Sequence, residues 1–242
     1  MSSDETKTKE SQRKQVRYAV SDDCRLKASI KIRSADEGTA AKDWPGTLVD
    51  MSSGGAHIQI SLGAVAFIGD SCVLTIAHGG IKVEMRGSLA HYVCSARHSV
   101  CGVRFNFTAG GVSKEYLRIF HAIVASGGLT VGPAGTESAG RHREEYPGPE
   151  RAMLLVWRDQ PGGALTGFNY TMARFCAVLT TVGTDMFKNK EQVIFQAAGS
   201  GDGGMALSKA QEIEARWEFS IAASNLPKAI APDIRRLLRL VS

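Results

Sequence analysis

The chain has 242 residues, of which 43% are hydrophobic and 22% are charged, and its formal net charge is +5. This composition is typical of a soluble globular protein, and the length suggests one large domain or two small ones. No apolar run approaches the ~20 residues of a membrane-spanning helix, and the polar N-terminus is unlike a secretory signal. We therefore expect a cytoplasmic protein without membrane insertion. The modest positive charge and the aromatic content of 7% favour a local anion site over a nucleic-acid surface.

The N-terminal segment is polar and ends in a pair of arginines. Residues 1–12 contain no large apolar side chain beyond Met1. Such a segment cannot bury enough surface to offset its ordering entropy, so it is predicted to be a mobile tail. Directly after it, Arg13 and Arg17 form an R-x-x-x-R pattern.

The region from residue 24 to residue 124 has a β pattern that ends in a helix. Alternating apolar residues predict a first strand, and further short apolar runs predict the others; the residues and runs are Leu26, Ala28, Ile30, Ile32, then Gly46–Asp50, Ala56–Ile60, Val73–Ile76, Ile81–Met85, Leu89–Cys94 and Val100–Phe107. Many short strands joined by glycine-rich turns indicate a small barrel or sandwich. Ser113 is a predicted N-cap, and Leu117, Phe120 and Val124 follow at helical spacing.

A second pattern lies in the turn of the predicted hairpin. Asp50, Ser52 and Gly55 form a D-x-S-x-x-G sequence in which Gly54 also lacks a side chain. Arginine presents a planar set of donors that matches phosphate oxygens or the O6/N7 edge of guanine, and an ionised aspartate accepts from the guanine N1–H and N2–H₂ groups. The arginine pair and this turn together indicate a site for an anionic ligand that contains guanine.

In this order and spacing, the two patterns resemble the PilZ domain, the bacterial receptor module for cyclic di-GMP. The resemblance covers roughly residues 11–125 and includes a later strand, Gly102–Phe105. It implies a mainly β fold, a six-stranded antiparallel barrel with a C-terminal helix. It also implies a non-catalytic receptor that needs no cofactor.

The resemblance further implies a role for each residue of the two patterns. Arg13 and Arg17 hold phosphates and guanine faces, while Asp50, Ser52 and Gly55 take a guanine edge. Gly54 and Gly55 let the backbone approach the ligand closely. Gln12 stands where many family members have a basic or apolar residue, which leaves open whether one or two ligand molecules bind.

The rest of the chain is predicted to form a linker and a second small β-rich domain. Residues 126–150 are rich in glycine and proline and include a charge run, Arg141–Glu145, that we interpret as solvated. Residues 151–242 are predicted to carry strands at Ala152–Trp157, Ala173–Thr181, Gln192–Gln196 and Glu214–Ile221, and a last helix from Pro232 with Asp233 in its first turn and Leu237, Leu238 and Leu240 after it. The glycine-rich stretch Gly199–Gly204 is predicted to be a flexible loop.

The end of the second half parallels the end of the first. Arg216–Phe219, followed by Leu226 and a helix, matches the strand Val103–Phe107 and the helix after it. Two alternatives follow: a degenerate second PilZ-like barrel, or an unrelated β fold that also ends in a helix.

Two other kinds of site are weighed against simpler interpretations. His91, Cys94, His98 and Cys101 have the short spacings of a zinc site, but two strands joined by a turn at Ser95–Ser99 explain the same spacing, and we predict no metal. A catalytic thiol such as Cys176 is disfavoured because no nucleophile signature surrounds any cysteine or serine.

The sequence therefore favours a non-catalytic cyclic di-GMP receptor. In this interpretation, ligand orders the N-terminal tail and the change is relayed to an unidentified effector protein. The second domain then contacts that partner or another subunit. Contact with a second copy of the chain would make the protein a homodimer. The alternative is a PilZ-like protein-interaction scaffold that does not bind cyclic di-GMP.

Overall fold

The computed structural model describes residues 15–33, 42–107, 113–133, 135–138, 140–183, 189–199 and 205–242. Within these residues, the strands are β1 (Tyr18–Ala19), β2 (Lys27–Arg33), β3 (Asp43–Ser52), β4 (Gly55–Ile60), β5 (Ser71–His78), β6 (Ile81–Cys94), β7 (Ser99–Phe105), β8 (Thr136–Ser138), β9 (Arg141–Pro147), β10 (Met153–Arg158), β11 (Leu165–Thr171), β12 (Phe175–Gly183) and β13 (Asn189–Ala197). The helices are α1 (Lys114–Gly127), α2 (Lys209–Ser224) and α3 (Pro232–Leu240).

The first seven strands build the predicted barrel. Antiparallel pairing in the order β3-β2-β5-β6-β7-β4 closes on itself through β3 and β4, and β1 pairs with the end of β3. Alternating residues of β2, including Ile30 and Ile32, are buried in the barrel, as the period-2 pattern predicts. The fold class predicted from the sequence is thus confirmed for this half.

Strand β6 corrects one detail of the prediction. The apolar runs at Ile81–Met85 and Leu89–Cys94 form one continuous strand, not two. Gly87 lies between them because a Cβ there would stand 2.3 Å from the backbone oxygen of Arg104 in β7. The glycine therefore marks a close approach of two strands, which the sequence alone does not distinguish from a turn.

The helix that follows the barrel begins where the sequence indicates. The Ser113 side chain accepts a hydrogen bond from the backbone N–H of Tyr116 and caps α1. Phe120 and Val124 are buried, as predicted, and Tyr116 stacks edge-on against Phe105 at the end of β7. The barrel and its helix form one packed unit.

The second sheet begins earlier than predicted. It is an antiparallel meander in the order β13-β12-β11-β10-β9-β8, and the charge run Arg141–Glu145 lies inside β9 rather than in a solvated linker. The charges have partners: Glu144 accepts from the buried Arg158 at 2.8 Å, and Arg143 pairs with Glu145 at 2.5 Å. A sequence pattern does not reveal such a strand, because Arg158, the partner of Glu144, lies on the neighbouring strand β10.

The run Glu214–Ile221 is helical, so the strand predicted there is wrong. It lies inside α2, whose N-terminus has a capping box formed by Ser208 and Gln211. Ala215, Phe219 and Ala222 are buried at helical spacing. Because Arg216–Phe219 is not a strand, the parallel with Val103–Phe107 has no structural counterpart.

Helices α1 and α2 join the two halves. Arg118 of α1 forms ion pairs with Glu214 and Glu218 of α2, and the apolar residues of both halves belong to one contiguous buried cluster. Burial raises the pKa of Glu218, which Arg174 and Arg118 partly offset. The last helix, α3, starts at Pro232 as predicted and buries Leu238.

None of the helices in the described part of the chain has the length and apolar run needed to cross a membrane.

Candidate functional site

Strand β1 brings the arginine segment to the hairpin turn. Tyr18 pairs with Met51 and Ala19 with Asp50, so the residue before β1 lies beside the end of β3. There the Arg17 Nη1 donates to Asp50 Oδ1 at 2.5 Å. The structure thus joins two residues that the sequence separates by 33 positions.

Asp50 stands opposite His57 because of the tight hairpin turn. Counting outward from Ser53–Gly54, Ser52 pairs with Gly55, Met51 with Ala56 and Asp50 with His57, and the register of β3 and β4 shifts only beyond Asp50. His57 Nδ1 lies 2.9 Å from Asp50 Oδ2. Since an ionised carboxylate can only accept, Nδ1 carries the proton and donates. Two donors, one from the segment before β1 and one from β4, therefore hold one carboxylate.

The electrostatics of Asp50 favour its charged form. Partial burial raises the pKa of Asp50, but the hydrogen bonds and charges of His57 and Arg17 outweigh burial and leave this pKa below its ordinary value. The carboxylate is therefore ionised at neutral pH and available to accept hydrogen bonds. It is 22% exposed, so a ligand can still reach it.

The side chain of Gln15, which was not identified from the sequence, packs against the turn. The Ser52 hydroxyl is buried; it lies 3.2 Å from the Gly55 carbonyl and 3.3 Å from the Gln15 Oε1. The Gln15 side chain lies against Gly54, where a Cβ would stand 2.4 Å from Oε1. In the structure, Gln15 therefore occupies the approach to Gly54 that the ligand is expected to use.

Gly55 and Tyr116 fix the turn to the barrel and the helix. A Cβ on Gly55 would stand 2.3 Å from the Val103 carbonyl, so this glycine lets β4 pack against β7. The Tyr116 hydroxyl of α1 donates to the Ser52 carbonyl at 2.6 Å. The D-x-S-x-x-G turn thus touches the helix that leads to the second sheet.

The imidazole of His57 lies against Gly102 of β7, which has no side chain. A Cβ on Gly102 would stand 2.9 Å from His57 Cδ2, and the His91 ring lies 6.2 Å from that of His57, centroid to centroid. Gly102 therefore provides the space in which His57 can turn toward Asp50. A sequence signal existed, because a two-residue turn at Ser53–Gly54 places His57 directly opposite Asp50.

The predicted residues gather at one end of the barrel. Arg17, Asp50, Ser52, Gly54 and Gly55 are brought together there, while Arg13 lies outside the described residues. The residues that the sequence analysis missed are Gln15, His57 and Tyr116. No group of residues able to hold a metal occurs in the part of the chain that the structure describes. His91, Cys94, His98 and Cys101 lie on β6 and β7 and the turn between them, as the simpler interpretation predicted.

Comparison with known proteins bears on this arrangement. The family model described as PilZ domain matches residues 11–119, which span the arginine pair, the closed barrel and the start of α1. No curated protein matches the chain. The part of the chain that forms the barrel and carries Arg17 and Asp50 therefore belongs to the PilZ domain family.

Proposed function

We propose that this protein is a non-catalytic cytoplasmic receptor for cyclic di-GMP. The observation that supports the proposal is the contact between Arg17 and Asp50, in which a guanidinium suited to phosphate lies beside a carboxylate able to accept from guanine. Family membership supports the same ligand class, because PilZ domains as a family bind cyclic di-GMP. Arg13, Ser52, Gly54 and Gly55 complete the proposed site.

Both Arg17 and Asp50 keep hydrogen-bonding groups that a ligand can use. Arg17 uses Nη1 for Asp50, and among the described residues its Nε and Nη2 donate to no protein acceptor. These donors suit a phosphate or the O6/N7 edge of guanine. Each Asp50 oxygen accepts one hydrogen bond and retains a second lone pair for guanine N1–H and N2–H₂. Ligand can therefore bind without breaking the contacts of Arg17 and His57 with Asp50.

The relay of the signal is proposed to pass through the N-terminal segment and the helices. The Ser21 N–H donates to Asn225 Oδ1 at 2.7 Å, and Asn225 Nδ2 donates to Ser126 Oγ of α1 at 3.0 Å. The buried Asn225 thus ties the segment after Arg17 to α1 and to the end of α2. Movement of that segment on binding would alter the packing of the second sheet, which we propose contacts an effector protein or a second subunit.

Other functions receive less support from the contacts. The thiol of Cys176, the candidate nucleophile, donates to Asn169 Oδ1 at 2.7 Å and lies 3.6 Å from Thr171 Oγ1. Burial raises the pKa of Cys176, which disfavours the reactive thiolate. The scaffold that does not bind ligand keeps the same fold, so only a binding measurement separates it from the receptor.

The direct test is a calorimetric titration of the full chain with cyclic di-GMP. We expect saturable binding, and weaker binding of the adenine analogue, because adenine presents an acceptor where guanine presents N1–H and would be repelled by Asp50. The titration also gives the number of ligand molecules per chain. Absence of heat with cyclic di-GMP would favour the interaction scaffold.

We further expect His57→Ala to weaken cyclic di-GMP binding by about five- to tenfold. The substitution removes one of the two donors that hold Asp50; a hydrogen bond to a charged group contributes about 1.5–3 kcal/mol, and ligand binding loses only part of it because Arg17 still holds Asp50. Titration of the variant measures the loss.

His98→Ala is the matched control, because His98 lies in the turn after β6 and its ring has no hydrogen bond among the described residues. Gly102→Ala should weaken binding in the same direction as His57→Ala by displacing the ring. Unchanged affinity in His57→Ala would show that Arg17 alone orients Asp50.

A further inference from the structure

The outer face of strands β2, β5 and β6 forms a shallow trough. The middle strand, β5, presents only small side chains outward, namely Ser71, Val73, Thr75 and Ala77. The strands on either side present mostly long ones, with Ser29 of β2 and Ser88 of β6 as the short exceptions. Because neighbouring strands lie 4.7–4.9 Å apart, the two sides of the trough are separated by roughly 9–10 Å.

The long side chains on both sides are mostly cationic and exposed. The register places Lys27 and Lys82 across from each other over Ala77, and Lys31 and Arg86 across from each other over Val73. Arg33 stands at the end of the β2 side, next to Ser71. The trough therefore carries five cations at regular positions.

The carboxylates near the trough do not neutralise it. Glu84 pairs with Lys82 at 2.8 Å, and Asp43 stands beside Lys31 at the start of β3. Among the described residues, Lys27, Lys31, Arg33 and Arg86 form no ion pair within 4.0 Å. Four cations thus remain available to a partner.

The trough deepens at one end. A cavity of about 430 Å³ lies there, with Ser71 and Val73 in its floor and Arg33, Arg86 and Asn106 around it. No carboxylate lines this cavity in the described part of the chain. The guanidinium groups of Arg33 on β2 and Arg86 on β6 can donate to an anionic group in the cavity from two sides.

We propose that this trough is the docking site for an extended acidic segment of a partner protein. The trough is one strand wide and about 20 Å long, counting 3.4 Å per residue from Lys27 to Arg33, which fits one extended polypeptide. All three strands are already paired on both edges, so the partner cannot add a strand and is recognised by its carboxylates. The cations attract it by charge complementarity.

The same features disfavour other polyanions. Single-stranded nucleic acid binds by stacking bases on aromatic side chains, and no aromatic residue stands in the rows of β2, β5 and β6 that form the trough. Stable membrane association needs exposed apolar surface besides charge, and the floor holds only half-buried Val73 and Ala77 as apolar groups.

The test uses the full chain and a fluorescein-labelled oligo-glutamate peptide of about eight residues, long enough to span the trough. We expect binding that weakens as salt is added, because exposed charges are screened. The triple variant Lys31→Glu, Arg33→Glu, Arg86→Glu should bind the peptide at least about tenfold more weakly, since each reversal replaces an attraction by a repulsion.

A second triple variant provides the matched control. Lys209→Glu, Lys228→Glu and Arg236→Glu change the net charge equally at exposed positions outside the trough. Equal losses in both triple variants would overturn the proposal, and so would absence of peptide binding. The proposal would also be overturned if oligo-dT or anionic vesicles bound more tightly than the peptide and only the trough variant lost that binding.

The proposal rests on the proposed function and adds to it a partner contact on the barrel, besides the contact proposed for the second sheet, and the two can fail separately. Cyclic di-GMP titration of the trough variant should give the wild-type affinity, because no trough residue contacts Arg17 or Asp50. Loss of peptide binding with intact ligand binding supports the trough. Loss of both would assign the effect to misfolding or to a shared site and would contradict it.

Discussion

Replacing Arg17 by alanine should lower the affinity for cyclic di-GMP at least about thirty-fold. Arg17 is the described arginine of the R-x-x-x-R pair, and it contacts Asp50 at 2.5 Å. Removing one member of a hydrogen-bonded charge pair costs about 2–5 kcal/mol in binding, and about 2 kcal/mol already corresponds to thirty-fold. The variant also frees Asp50 from its closest donor. Calorimetric titration beside the wild type measures the loss.

Arg97→Ala is the control for this experiment. Arg97 is exposed in the turn between β6 and β7, and its side chain forms no ion pair among the described residues. Its removal changes the net charge equally and should leave affinity within about twofold of wild type, because exposed charges far from a site act weakly. If Arg17→Ala and Arg13→Ala both keep wild-type affinity, the assigned site is wrong.

The sequence predicted the barrel because its signals are local. Period-2 alternation in β2, the glycine-rich turn after Ser52 and the N-cap at Ser113 each depend on neighbouring residues. The structure confirms all three. The motifs also selected residues that the fold brings together, namely Arg17, Asp50 and Ser52.

The second half was harder to predict because long-range partners decide its structure. The charged β9 is stable as a strand because Glu144 meets Arg158, which itself reaches Asp233 of α3 at 2.6 Å. Composition alone presents the same residues as solvated. In α2, by contrast, the Ser208–Gln211 capping box was a local signal that could have identified the helix.

The site was incomplete for a similar reason. His57 stands opposite Asp50 because only two residues, Ser53 and Gly54, join β3 and β4, and the motif spacing alone did not specify that turn length. Gln15 lies in the polar segment where no periodic pattern exists, and its contact with Gly54 follows from the path of the chain before β1. Such contacts depend on backbone geometry that motif spacing does not contain.

Phe219→Ala should destabilise the protein by about 3–5 kcal/mol, the usual cost of emptying a buried phenylalanine site. Phe219 is fully buried on α2 and packs on three rings of the second sheet, Phe168, Tyr170 and Phe195, with centroids 5.6–6.3 Å away. Partial collapse of the cavity sets where in that range the loss falls. Chemical denaturation followed by tryptophan fluorescence measures it.

Ile213→Ala on the same helix is the matched control. Ile213 is 62% exposed, so its truncation should change stability by no more than about 0.5 kcal/mol.

The pair of variants Phe219→Ala and Ile213→Ala also tests whether the two halves unfold together. Trp44 lies in the barrel and Trp157 in the second sheet, and the buried cluster is continuous between them through α1 and α2. A continuous core should unfold in one transition, so Phe219→Ala should lower a single midpoint for both halves. Two separated transitions, with only the second-sheet transition shifted, would show that the halves fold independently and that the relay through Asn225 joins separate units.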